Sequence, residues 1–320
     1  MTKMKSAPPL ILRVEKAGLQ STVQDLGRPQ GASWGLPVGG AADALALQVA
    51  NLLLGNPHDA AALEITLGGF RAQFAHTSSF ALSGADCEAR LDGRRLLPNA
   101  VYRGLKGQIL SLGAPQQGAR SYLALPGGID VPELWGSSST LLAAALGGLA
   151  GRALKKGDQL CAGLRDHARP ALAISMPERG HLLRFIAGPQ WAQLGSEGQK
   201  RFAQQSWKID IQSNRMALKL NAGLLQMEIP IEIASHAVLA GTVQLPRGGQ
   251  PMILLCDAQV TGGYPVIAQI IQADLWRLGQ LRAGDTVALQ QVDQPAALAA
   301  LAQQQAWLQR IEVTIARQCR

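Results

Sequence analysis

The sequence predicts a mostly β protein in two parts, and three observations carry that prediction. Short apolar runs rich in Leu, Ile and Val recur along the 320 residues, and Gly, Pro and Asp punctuate them. Asp92-Gly93 stands between extended flanks in Ala89–Leu96. That dipeptide favours a tight hairpin, because both turn residues must accept positive φ. Gly157-Asp158 and Gly284-Asp285 each close one half of the chain with a strand-like run, a weak hint of two similar β domains. Many short strands with such punctuation imply barrels or sandwiches.

The elements follow in order. Leu10–Val14 is apolar and β-prone. Ala41–Leu54 has apolar residues at helical spacing, with Gly55 as a C-terminal stop. Ala72–Gly84 holds two short runs that suit adjacent strands. Gln108–Leu112 and Ser121–Leu125 read as further strands. A boundary falls near Arg165–Glu178, which contains prolines and charges. Gln190–Gln205 reads as an interrupted helix, and Met252–Leu255 as an apolar strand. In Val266–Leu278, Val266, Ile267, Ile270, Ile271, Leu275 and Leu278 share one helical face. Pro265 suits the first turn of such a helix, where a missing N–H costs nothing. Ala296–Arg317 reads as a final amphipathic helix. The predicted division is a first β module over 10–175, a second over 180–294 and a C-terminal helix over 295–320.

Composition narrows the function classes. The hydrophobic fraction is 47% and the charged fraction 16%, enough for a sizeable core. The net charge is +8, but the Arg and Lys residues are scattered, with no basic run interleaved with aromatics. That pattern argues against nucleic acid and favours an anionic small substrate or an acidic partner. The four cysteines, Cys87, Cys161, Cys256 and Cys319, form no CxxC pair and no disulfide framework. No metal site is expected. The start of the chain is not a signal peptide, and no run approaches a membrane span. A cytoplasmic protein is the reading.

Four segments are candidate sites. In Val260–Pro265 the amides of Thr261, Gly262 and Gly263 suit an anion cradle, because two glycines allow close approach. A following helix would add free N–H groups. Asp257 and Gln259 precede this loop, and Tyr264 ends it. An acid there is a candidate catalytic base or orienting group. The alternative is a tight strand-to-helix turn with Asp257 as a cap. In Thr22–Arg28, Gln24, Asp25 and Arg28 surround one glycine; Arg28 either clamps a substrate carboxylate or pairs with Asp25. In Ser213–Met216, Asn214 and Arg215 offer donors for an oxyanion, against a plain turn with Asn in it. In Ser235–Pro246, Gln244 ends a strand as a substrate contact, and His236 is either a proton shuttle or a surface residue. Gly127-Gly128 and the serines of Ser137–Thr140 read as loop chemistry. There is no GxSxG elbow and no P-loop, so this chain alone is not expected to handle ATP.

Taken together, these motifs resemble a known family. TVQDLGR, the Ala42–Asn56 run, LEITLGG at Leu63–Gly69 and YLALPGGIDVPELWGSSST at Tyr122–Thr140 occur in the family's order. So do Gly151–Asp158, SNRM, GTVQLP and the Asp257–Pro265 segment. The chain resembles the biotin-dependent carboxyltransferase-like family that includes the C subunit of bacterial ATP-dependent 5-oxoprolinase. It is also called the Kip-antagonist or allophanate hydrolase subunit 2 type. The resemblance runs from about Leu10 to Val292.

The resemblance implies two cyclophilin-like β-barrel modules with a few helices. It implies an amide (lactam) hydrolase subunit, inactive alone, that works with subunits A and B. That complex opens 5-oxo-L-proline to glutamate and consumes ATP. A lactam is a poor electrophile, and phosphorylating its oxygen would make the carbon open to water. The alternatives are a carboxyltransferase subunit acting on a urea-like amide, with biotin carried on a partner chain, and a non-catalytic regulatory binding protein antagonising a kinase inhibitor. The sequence departs from the family at four places. Val260 stands for a second Thr, Ala217 for Gly, His236 for Glu and Ala283 for Pro. The first and third bear on the chemistry of the candidate site.

Overall fold

The structure, a computed structural model, describes residues 8–163, 169–227 and 233–318. The first seven residues, the start of the Arg165–Glu178 boundary and Cys319 lie outside the described residues. The chain divides into two compact units. One contains Met1–Gly27, Ala44–Met176 and Arg310–Arg320; the other contains Arg28–Asp43 and Pro177–Gln309.

The first unit carries β1 (Leu10–Ala17), β2 (Gln20–Gln24), helix α1 (Ala44–Leu54), β3 (Ala62–Thr66), β4 (Phe70–Phe74), β5 (Ser78–Asp86), β6 (Arg90–Leu91), β7 (Arg94–Arg95), β8 (Ala100–Gly104), β9 (Ile109–Leu112), β10 (Gln117–Ala124) and β11 (Gln159–Cys161). They form two sheets, in the orders β11-β1-β4-β9-β6-β7 and β2-β3-β10-β5-β8. Leu12, Phe74 and Leu110 from the first sheet join Leu63, Phe80 and Leu123 from the second in one core. Each such side chain contributes about 1.5–3 kcal/mol by leaving water. The expected hairpin forms: Asp92 has φ +47° and Gly93 φ +82°. Helix α1 lies against β5 and β10 and buries nearly every side chain, as an all-round apolar helix must. It starts at Ala44 rather than Ala41.

The second unit carries β12 (Leu182–Ala187), α2 (Gly195–Gln204), β13 (Trp207–Ile209), β14 (Ala217–Asn221), β15 (His236–Ala237), β16 (Thr242–Gln244), β17 (Met252–Leu254), β18 (Thr261–Gly262), β19 (Val266–Ile270), α3 (Leu275–Leu278), β20 (Thr286–Gln291) and most of α4 (Gln294–Gln318). Seven strands close a barrel in the order β12-β19-β16-β17-β14-β13-β20, and a separate ribbon pairs β15 with β18. Phe185, Trp207, Val243, Ile253 and Ile267 fill the barrel. Phe202 of α2 meets Phe185 edge-on, with ring centroids 5.2 Å apart. The mostly β reading thus holds, with a closed barrel in this unit and two sheets in the other.

One element differs from the sequence expectation. Val266–Leu278 is not one helix. Val266–Ile270 is strand β19, paired with both β12 and β16, and only the last turn, Leu275–Leu278, is α-helical. The apolar positions fit both periods. β-Branched Val266, Ile267 and Ile270 favour the extended form, and barrel closure supplies hydrogen bonds on both sides. Pro265 precedes the strand, where its missing N–H breaks no ladder.

The two Gly-Asp turns have the same local form. Gly157 and Gly284 take φ +91° and +92°. Asp158 accepts from the Lys155 amide and Asp285 from the Arg282 amide, each three residues back. Each turn leads into the strand that ends its module, β11 or β20. Among the described residues, no helix is long and apolar enough to cross a membrane. Cys87, Cys161 and Cys256 are thiols, not disulfides.

Candidate functional site

The second unit brings three of the candidates, Arg28, Arg215 and Asp257, together. Strand β17 ends at Leu254, and the chain turns through Cys256 and Asp257 beside the segment that precedes β14. The Asp257 amide donates to the Arg215 carbonyl at 3.1 Å, which ties the two loops together. Their side chains then form a fork. Arg215 Nε donates to Asp257 Oδ2 at 2.7 Å and Nη2 to Oδ1 at 2.9 Å. Arg215 is 6% and Asp257 8% exposed. A buried bidentate pair is short, directional and shielded from salt.

The pair is anchored by a segment the sequence reading overlooked, Gly39-Gly40. Arg215 Nη2 also donates to the Gly40 carbonyl at 2.7 Å, and the Gly39 amide donates to the Cys256 carbonyl at 2.9 Å. Arg28 lies fully buried at the base of the same segment, where its amide donates to the Val38 carbonyl. A methyl on Gly39 would stand 3.2 Å from Arg28 Nη1 and 3.9 Å from Asp257 Oδ1. Gly39 has φ +67°, a second reason for glycine there. Arg28 and Asp257 thus flank Gly39, and Arg215 reaches Gly40 beside it. The glycine pair in PVGGAAD was the available signal.

The other sequence candidates fall elsewhere. Asn214 is exposed and its Oδ1 accepts from the Met216 and Ala217 amides, so it closes the turn before β14. Gln259, Thr261 and Gly263 are exposed and Tyr264 half-exposed. The expected cradle at a helix N-terminus does not form, because Thr261–Gly262 is strand β18 and the segment after it is strand β19. His236 pairs across the ribbon with Gly262, and its Nδ1 lies 3.2 Å from the Ala234 carbonyl. Gln244 is fully buried at the end of β16.

In the first unit, Gln24 and Asp25 serve the sheet edge. Gln24 Nε2 donates to Thr22 Oγ1 and to the Thr140 carbonyl. Asp25 accepts from Ser137 Oγ, Ser139 Oγ and the amides of Ser138 and Gly27. The serines read as plain loop chemistry thus hold a buried carboxylate. A second buried acid, Glu64, accepts from Tyr122 Oη at 2.7 Å and lies 3.4 Å from Arg120 Nε. Among the described residues, no group of three or more His, Cys, Asp or Glu side chains is arranged to hold a metal ion.

Comparison with known proteins shows the family of the chain. A family model described as carboxyltransferase domain, subdomain A and B, matches residues 34–291. The chain belongs to that family. It is 42% identical to the C subunit of Escherichia coli 5-oxoprolinase over 94% of this chain and 97% of that one. It is 36% identical to the C subunit of Haemophilus influenzae 5-oxoprolinase over 85% of this chain and 88% of that one. The structure of the K. lactis urea amidolyase superposes with a TM-score of 0.87 at 27% identity, covering 97% of this chain and 20% of that much longer one. The resemblance drawn from the motifs is therefore borne out along nearly the whole chain. The Arg215–Asp257 fork, with Arg28 and Gly39-Gly40, is a buried charged cluster of the second unit.

Proposed function

We propose that this chain is the C subunit of an ATP-dependent 5-oxoprolinase, working in the cytoplasm with subunits A and B to hydrolyse 5-oxo-L-proline to L-glutamate. The observation that carries the reading is end-to-end likeness, at 42% identity, to a protein named as that subunit. The charged cluster supports it. A substrate bearing a carboxylate meets the guanidinium groups of Arg28 and Arg215, which line the segment Gly39-Gly40. Arg215 is held in place by Asp257, so its fork is already ordered when the substrate arrives, and less entropy is lost on binding. Asp257 acts in this account as the orienting partner of Arg215 rather than as a base, since both its oxygens already accept from the fork. The sequence has no Gly-rich phosphate loop, so the account assigns ATP to subunits A and B. The test is reconstitution. Subunits A and B with this chain should release glutamate from 5-oxo-L-proline and ATP, and omission of this chain should abolish it. Undiminished release without this chain would refute the reading.

A second reading has its own support in the urea amidolyase likeness. There the same centre serves a carboxyltransferase subunit that takes a urea-like amide and a carboxyl group from biotin on another chain. Carboxylation of urea by this chain with a biotinylated carrier, and no glutamate release, would select it.

A further inference from the structure

Gln244 is a buried polar side chain of the second unit that the charged cluster leaves unexplained, and both ends of its amide are affected. It is 0% exposed, yet neither end of its amide has a hydrogen-bond partner among the described residues. A neighbouring glutamine shows what is normal here. Gln269, on the adjacent strand β19, accepts from Thr242 Oγ1 and donates to the Ala240 carbonyl. Gln24 of the first unit keeps two acceptors for its Nε2 and lacks a partner only at Oε1. A buried donor or acceptor left unpaired costs about 1–3 kcal/mol. Gln244 leaves both unpaired, which disfavours a purely structural role and calls for a partner that fills both at once.

The local backbone is arranged around that amide. The register slips at Gln244: Val243 pairs with Ala268, but Gln244 pairs with Val266. Such a bulge re-aims a side chain. The amide lies directly beneath Gly262, where an added Cβ would stand 2.5 Å from Gln244 Nε2. Gly262 is half-buried and Gly263 exposed, so this stretch of backbone over the amide carries no side chain of its own. That cover belongs to the two-strand ribbon in which His236 pairs with Gly262 and Ala237 with Thr261, continued by the Val238 amide donating to the Val260 carbonyl.

Resting on the reading above, we propose that Gln244 recognises the amide edge of the substrate, and that Gly262-Gly263 is the cover that opens to admit it. A primary carboxamide presents one donor and one acceptor side by side. It pairs through two hydrogen bonds with a ligand that shows N–H and C=O on one edge. A lactam does this because its ring holds the amide cis, and urea does it because each NH2 carries one hydrogen syn to the carbonyl. A trans peptide group shows the two on opposite edges. A carboxylate offers only acceptors and an ammonium only donors. Gln244 therefore selects for cis-amides, while the Arg215–Asp257 centre answers to charge.

The test uses the full chain and four probes: 5-oxo-L-proline, its lactone counterpart with a ring oxygen in place of N–H, 2-pyrrolidinone and urea. Binding is measured by calorimetry and by the side-chain amide resonance that disappears in Gln244→Leu. Gly262→Ala, whose methyl crowds the amide, serves as the second variant, and thermal melting checks that both variants fold. The expected result is lactam binding about tenfold tighter than lactone binding, or about 1.4 kcal/mol, with the Gln244 resonance shifted by lactams and both effects lost in each variant. Binding of 2-pyrrolidinone or urea at Gln244 without binding of 5-oxo-L-proline supports the site and counts against the 5-oxoprolinase reading. Equal affinity for lactam and lactone, no shift with any probe, or an unchanged lactam preference in Gln244→Leu would overturn the proposal.

Discussion

Two buried aspartates, each at a strand end, are held in opposite ways. Asp25 in the first unit is surrounded by neutral donors, with two serine hydroxyls and two amides filling its oxygens. Asp257 in the second unit faces one guanidinium that takes both oxygens. The first arrangement keeps a formal negative charge inside a complete hydrogen-bond shell and stitches Gly27 and Ser137–Ser139 together. The second pairs the carboxylate with one guanidinium, Arg215, which also reaches the Gly40 carbonyl. A carboxylate in a full neutral shell is a clamp. A carboxylate that takes both bonds of one guanidinium instead fixes the orientation of that arginine.

The largest effect that sharpens this contrast is expected at Asp257. Asp257→Ala strands the Arg215 charge in the interior and should cost about 3–5 kcal/mol, the usual penalty for breaking a buried pair. Denaturant unfolding measures it. The double variant Asp257→Leu with Arg215→Met removes both charges and should lose less than the single one, its residual loss reflecting the Gly40 carbonyl. A double variant as unstable as the sum of its parts would break the account of a coupled pair.

A smaller loss is expected at Asp25. Asp25→Asn keeps one acceptor oxygen but gives up the charge that strengthens four hydrogen bonds, at about 2 kcal/mol by the scale for bonds to charged groups. The same unfolding measurement reads it. A change within error would show that the serine shell contributes shape and no stability.

The smallest effect is a pH dependence at the first Gly-Asp turn. The Arg152 guanidinium, bonded to Asp158, holds that carboxyl below the usual carboxylate range, and the Lys155 amide adds to this against the opposing effect of burial. A lowered folded value means the ionised form is the stabilised one. The contribution is therefore complete above about pH 4 and fades as pH falls through the lowered folded value. The melting-temperature gap between the parent chain and Asp158→Asn should be open at neutral pH and close in strong acid. A gap independent of pH would contradict it.

The strands of the first unit were legible in the sequence because their signals are local. Asp92-Gly93 needs no partner to declare a hairpin, and Gly157-Asp158 and Gly284-Asp285 mark the same turn twice. Helices α1 and α4 were legible from spacing. β19 was misread because Val266, Ile267, Ile270 and Ile271 satisfy both the helical and the extended pattern, and barrel closure decides between them. The site was half legible. Asp257 and Arg215 stood out as residue types, but their pairing across 42 positions leaves no local trace. The contribution of Gly39-Gly40 was hidden because those residues precede a helix that belongs to the other unit. Asp25 and Arg28 lie three residues apart and read as one motif, yet they fall in different units.

The most direct test of that contrast compares Asp25→Asn and Asp257→Asn in the complex reconstituted with subunits A and B, each scored for melting temperature and for turnover per folded molecule. Asp25→Asn should melt earlier and turn over 5-oxo-L-proline as the parent does. Asp257→Asn should lose most turnover and raise KM, because Arg215 is no longer held for the substrate carboxylate. Parent-like turnover in Asp257→Asn, or lost turnover in a folded Asp25→Asn, would contradict the assignment of the working site to the second unit.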